Sequence, residues 1–218
     1  LDDLGIVSLK AVIGPSIGGL MALEFSLLYP DYVKNLISIS SGYRLSTIQL
    51  LHNLEQAYIL DLAKSSNGRE TEYLSLARMI AHKTYISLEL LSSRAKDESK
   101  YDKNFLEGFL STSQESYMMH QGEKFIQRFT PDSYNSIIKG WQNFYIDTKE
   151  IKKLENINVL IISVDSDVCF YPEEQVEFEN LLKENGIKTT MKVINSTKGH
   201  DCFLLEPELF KKKFQNFI

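Results

Sequence analysis

A chain of 218 residues, 43% of them hydrophobic, can bury the core of one ordinary globular domain, and this balance excludes a chain dominated by disorder. Its formal net charge of −5 argues against a nucleic-acid partner, because phosphate backbones are gripped mainly by Lys and Arg. No run approaches the roughly 18 apolar residues that cross a bilayer, and no basic start leads into an apolar stretch, so no membrane partner and a cytoplasmic location are expected.

The chain starts at Leu1 rather than Met and reads as a buried strand within a few residues, the start expected of a fragment. Residues 8–14 form a short apolar run ending in Gly14, and residues 19–29 then carry Leu20, Leu23, Phe25, Leu27 and Leu28 at helical spacing. Pro30 and Asp31 stop that helix, and residues 35–39 make a second β-rich run. Two parallel strands joined by a helical crossover are the simplest topology for this order.

From residue 47 to 150 the periodicity turns helical, with few β-branched runs. Helices are expected near 47–64, 72–83, 103–110, 113–128 and 131–146, with polar loops at 64–70 and 93–103. Residues 158–164 read again as a buried strand, 173–184 as an amphipathic helix ended by Asn185-Gly186, 188–194 as an alternating strand and 207–218 as a last helix. The expected fold class is therefore α/β: a mostly parallel sheet flanked by helices, formed by residues 1–46 and 151–218 and interrupted by a helical cap at 47–150.

Gly14-Pro15-Ser16-Ile17-Gly18 matches G-x-S-x-G and falls between a predicted strand and a predicted helix. That context suits a nucleophile elbow, a turn so sharp that glycines must stand two residues to either side of the serine. Ser16 is the expected nucleophile, and the Ile17 N–H, at the positive end of the following helix, is the expected first oxyanion donor. The base expected is His200, which lies in a loop after the last strand, whereas His52, His82 and His120 fall in the helical block. The loop after strand 158–164 offers two acids, Asp165 and Asp167, either of which preserves the chain order Ser, Asp, His. Cys169 and Cys202 lack an elbow of their own and the ligand spacings of a zinc site, so free thiols and no metal are expected.

These residues sit within longer matches. Ala11-Val12-Ile13-Gly14 with Ser16-Ile17-Gly18-Gly19, Tyr29-Pro30-Asp31-Tyr32-Val33, Leu76-Ala77-Arg78-Met79-Ile80, Gln121-Gly122-Glu123-Lys124-Phe125, Ser163-Val164-Asp165-Ser166-Asp167 and Gly199-His200-Asp201 run nearly end to end. The chain resembles the homoserine O-acetyltransferase family of the α/β-hydrolase superfamily. The resemblance implies that Asp167 is the triad acid, that Arg78 holds the homoserine carboxylate with Tyr85 in support, and that Asp201 meets the substrate amine. It also implies acetyl-CoA as acyl donor with no tightly bound cofactor, L-homoserine as acceptor, a role in methionine biosynthesis and a homodimer formed through the cap helices. A guanidinium fork on a carboxylate and a carboxylate on an ammonium would clamp a zwitterionic amino acid at both ends.

Two departures from the family stand out. Pro15 occupies a position where the family usually has Gly, which fixes φ near roughly −65° and removes an N–H beside the nucleophile. Family members also carry a long segment before the position of Leu1, including the first strands and the loop giving a second oxyanion donor; a four-stranded sheet without them exposes a parallel edge at 8–14. The rival expectations are an esterase of the same fold, or a truncated homologue acting only as an interaction module.

Overall fold

The computed structural model describes residues 1–65, 67–97, 113–215 and 217–218. It divides into two compact units, Leu1–Leu45 with Phe144–Ile218, and Ser46–Asn143.

The first unit is built on a four-stranded sheet of order β1-β2-β3-β4, with β1 at Val12–Pro15, β2 at Asn35–Ile39, β3 at Asn158–Val164 and β4 at Thr189–Ile194. Every pairing is parallel; Gly14 lies opposite Ser38 and Pro15 opposite Ile39. α1 (Ile17–Leu28) crosses from β1 to β2, and α7 (Pro172–Glu184) crosses from β3 to β4. β2 and β3 are buried almost throughout, as strands covered on both faces must be. One face buries Leu36, Val159 and Ile161 against Leu23 and Leu27 of α1 and Phe178 and Leu182 of α7. The other buries Ile37, Ile39, Leu160 and Ile162 against Cys202 of α8 (Cys202–Leu205) and Phe210 of α9 (Glu208–Gln215). The strand ends that lead to Ser16, Asp167 and His200 thus rest on a sheet packed on both faces.

Several boundaries differ from expectation for physical reasons. β1 begins at Val12 rather than residue 8, because the chain bends at Lys10, whose carbonyl accepts the Asn35 amide at 2.6 Å, leaving Leu9 only an isolated bridge to Val33. The helix expected over 207–218 is α9, Glu208–Gln215; the short α8 before it was not expected, and Glu206 and Pro207 separate the two, since proline cannot donate into a continuing helix. A 3-10 segment at Thr148–Leu154, not expected, buries Ile151 and Leu154 beneath the sheet.

The second unit contains α2 (Thr47–Ala63), α3 (Glu70–His82), α4 (Leu88–Asp97), α5 (Ser113–Ile126) and α6 (Pro131–Gln142). Capping boxes at Ser46/Gln49 and Thr130/Ser133 start α2 and α6. Leu60, Leu74, Ala77, Phe125, Tyr134 and Ile138 form its core. The expected loop at 93–103 is corrected over its first residues: α4 runs to Asp97, started by the Ser87 hydroxyl accepting the Leu90 N–H at 3.1 Å. α6 stops at Gln142 instead of 146, at an Asn143 cap. The helix expected at 103–110 lies outside the described residues.

Candidate active site

Ser16 sits where β1 becomes α1, with φ 55° and ψ −130°. A non-glycine residue in the left-handed half of φ costs roughly 1–3 kcal/mol and persists only when its surroundings hold it. Here the Ser16 N–H donates to the Ile39 carbonyl at 2.9 Å, and the Ser16 carbonyl accepts the Gly19 N–H at 2.9 Å. The motif's glycines are not equally demanding. A Cβ on Gly14 would lie 1.8 Å from the Gly18 carbonyl oxygen, and one on Gly19 would lie 2.4 Å from Ser41 Cβ. On Gly18 it would meet only Pro15 Cδ at 3.4 Å, an ordinary contact. Gly14 and Gly19 are therefore the obligate pair, which corrects the reading that assigned the crowding to Gly14 and Gly18.

Pro15 takes no bond from the ladder between β1 and β2. Since the Ser16 N–H points to β2, alternation along the strand points the Pro15 nitrogen away from β2. The Ile17 N–H lies in the first turn of α1, where no preceding helical carbonyl exists to accept it.

The structure brings Ser16, His200 and Asp167 together. His200 Nε2 lies 2.8 Å from Ser16 Oγ, and Nδ1 lies 2.9 Å from Asp167 Oδ2. The carboxylate can only accept, so Nδ1–H donates to Asp167 and Nε2 is left to accept the Ser16 hydroxyl proton. Asp167 Oδ1 accepts the Cys169 and Phe170 N–H groups at 2.8 and 2.9 Å, so both carboxylate oxygens are held in a site only 1% exposed. Asp165 faces elsewhere and accepts the Ser196 N–H at 3.0 Å.

The imidazole is buried between Phe170, stacked at 5.6 Å, and Phe203, edge-on at 5.7 Å. Both rings were visible in the sequence beside the acid and base, but nothing in spacing alone gives them a role. Burial pushes the His200 pKa down; the charge and hydrogen bond of Asp167, joined by the charge of Asp201, outweigh it and leave the pKa above its ordinary 6.5. Asp201 precedes α8 without capping it through its side chain.

Arg78 and Tyr85 belong to the second unit, where the Arg78 guanidinium lies 4.7 Å from the Tyr85 ring centre and 4.9 Å from that of Phe125. The aromatic faces leave the planar edge of the guanidinium, where its N–H donors lie, as the natural place for a carboxylate. Both cysteines are buried and neither is in a disulfide. Among the described residues, no three His, Cys, Asp or Glu side chains converge on a metal-sized site, and no helix is long and apolar enough to cross a membrane.

Residues 1–207 match the family model for the alpha/beta hydrolase fold. Homoserine O-acetyltransferase of Methanosphaera stadtmanae is 32% identical, across 100% of this chain and 47% of its own length. The homoserine O-acetyltransferase of Bacillus anthracis superposes with a TM-score of 0.84 at 22% identity, over 97% of this chain and 60% of that one. Esterase E22 superposes with a TM-score of 0.87 at 16% identity, over 100% of this chain and 63% of that one. The chain thus spans about half the length of the first of these relatives.

Proposed function

The chain belongs to the alpha/beta hydrolase fold family, and from that premise we propose that it serves an acyltransferase that moves an acetyl group from acetyl-CoA to the hydroxyl of L-homoserine, a step of methionine biosynthesis. The observation that carries this reading is the continuous relay from Ser16 Oγ through His200 to Asp167, on a serine held in an elbow. The similarity to homoserine O-acetyltransferase over the whole chain supports the choice of acceptor.

In the first half-reaction Ser16 Oγ attacks the thioester carbonyl while its proton passes to His200 Nε2. Asp167 holds the ring orientation and stabilises the imidazolium, and the Ile17 N–H donates to the developing oxyanion. Collapse breaks the C–S bond, and His200 returns the proton to the leaving CoA sulfur. In the second half, His200 takes the proton of the homoserine hydroxyl as its oxygen attacks the acetyl-serine carbonyl. The C–O bond to Ser16 breaks, and the proton returns to Ser16 Oγ. The roles of Arg78 and Tyr85 toward the acceptor carboxylate, and of Asp201 toward its ammonium, are carried over from the family resemblance alone.

A second reading, an esterase with water as acceptor, draws on the likeness in fold to esterase E22. Thiol release from acetyl-CoA, measured with and without L-homoserine, separates the two. The proposal predicts homoserine-dependent release with formation of O-acetylhomoserine, lost in Ser16→Ala. Equal release without homoserine would establish the esterase reading.

A further inference from the structure

His200 is delivered by the turn that follows β4, and three hydrogen bonds tie that turn to the loop that follows β3. The Ser196 N–H donates to Asp165 Oδ1 at 3.0 Å, the Gly199 N–H donates to Ser166 Oγ at 3.0 Å, and the Ser166 hydroxyl donates to the Ser196 carbonyl. Asp165 is exposed, so its bond competes with water; Ser166 is half-buried and uses its donor and its acceptor on the two ends of one turn. Gly199, immediately before the imidazole, has φ 73°, so the turn that aims His200 depends on a conformation only glycine adopts without strain.

We infer that Ser166 is a positioning residue for the proposed reaction: by bridging Ser196 and Gly199 it sets the His200 ring so that it faces Asp167 and Ser16 at once. This rests on the acyl-transfer reading of the same site. Ser166 is the neighbour of Asp167, so the acid and the clamp on the base leave β3 on consecutive residues. Any shift of the β4 turn relative to β3 therefore changes the Asp167–His200 and His200–Ser16 distances together. Those distances are 2.9 and 2.8 Å, short enough that a slip of about 1 Å breaks the relay, a displacement that typically costs about a hundredfold in rate.

The test uses the full chain and a small fluorophosphonate that reacts with an activated serine, measuring the inactivation rate constant and the probe's binding constant across pH. In Ser166→Ala the rate constant should fall about 10- to 100-fold with the binding constant unchanged. The acid-limb midpoint should move to lower pH as Asp167 loses its grip on His200. Ser166→Thr keeps the hydroxyl and should recover most of the rate. Should Ser166→Ala not fold, Ser166→Cys, with a weak acceptor in nearly the same volume, should show the same loss and the same shift. A folded Ser166→Ala with unaltered rate and midpoint, or a Ser166→Thr as slow as Ser166→Ala, overturns the inference while leaving Ser16 as nucleophile. A wild-type chain that does not label Ser16 overturns the acyl-transfer reading itself.

Discussion

Two adjacent glycines in the first turn of α1 should respond in opposite directions to the same added methyl group. In Gly18→Ala the new Cβ meets Pro15 Cδ at 3.4 Å, so the remaining effect is the helix preference of Ala over Gly, at most about 1 kcal/mol in favour. In Gly19→Ala the Cβ would lie 2.4 Å from Ser41 Cβ, 2.5 Å from Ser41 Oγ and 2.9 Å from the Gly14 carbonyl oxygen. Ser41 is fully buried and Gly14 is backbone of the elbow, so neither can step aside cheaply. Overpacking of this kind costs about 1–3 kcal/mol, enough to outweigh the gain in propensity. Urea denaturation followed by circular dichroism should therefore show Gly18→Ala unchanged or stabilised and Gly19→Ala destabilised. Combining Gly19→Ala with Ser41→Gly should give a favourable coupling in a double-mutant cycle, because two of the three close contacts disappear. Equal destabilisation by both alanines, or no coupling to Ser41→Gly, would refute the packing described for the elbow.

Further outcomes follow from the titrating groups and their partners. Asp167→Asn should keep Oδ1 as acceptor for the Cys169 and Phe170 N–H groups while turning an NH2 toward His200 Nδ1; the ring then takes the wrong tautomer, and acyl transfer should fall by about 10³- to 10⁴-fold, with little loss of stability at pH values where His200 is neutral. Because the folded His200 pKa is raised, neutral base accumulates only above about 6.5, so activity should rise with pH through a midpoint above that value. The stability from its pairing with Asp167 runs the other way, complete below about 6.5 and lost as pH climbs through the folded pKa. His82 is the opposite case, with burial first and then the charges of Arg78, Arg94 and Lys124 pushing its pKa down to about 4 while Nε2 pairs with the Tyr117 hydroxyl at 3.0 Å. Its contribution is complete above about 6.5 and should be lost as pH falls toward 4, on the order of 3 kcal/mol, a slope that His82→Asn should flatten in acid titrations of unfolding.

The parallel sheet, the elbow and the partners of Ser16 were legible because each leaves a local mark: apolar runs for β2 and β3, glycines around Ser16, and His200 in a loop. The choice of Asp167 over Asp165 rested on resemblance, since two acids two residues apart in a turn look alike until their orientation is known. α4 escapes the sequence reading because the charged stretch from Ser93, its second half, reads as loop, although Ser87 with Leu88, Leu91 and Ala95 at helical spacing carries the signal. The shortening of β1 turns on one bend and one Asn35 amide, a contact 25 residues away that no window of sequence contains. Gly19 was passed over in favour of Gly18 because the motif marks symmetry about the serine, whereas the crowding is set by where Ser41 lies. Nothing in the sequence around Ser166 marks it, because its bonds go to a turn about 30 residues further on.

Trapping the acyl-enzyme tests the central claim most directly. Incubating the folded chain with acetyl-CoA alone, quenching in acid and mapping peptides by mass spectrometry should place one acetyl group on the peptide containing Ser16. Adding L-homoserine before the quench should remove it, and Ser16→Ala should never carry it. Release of CoA without acetyl on Ser16, or an acetyl group on another residue that homoserine discharges, would contradict the account.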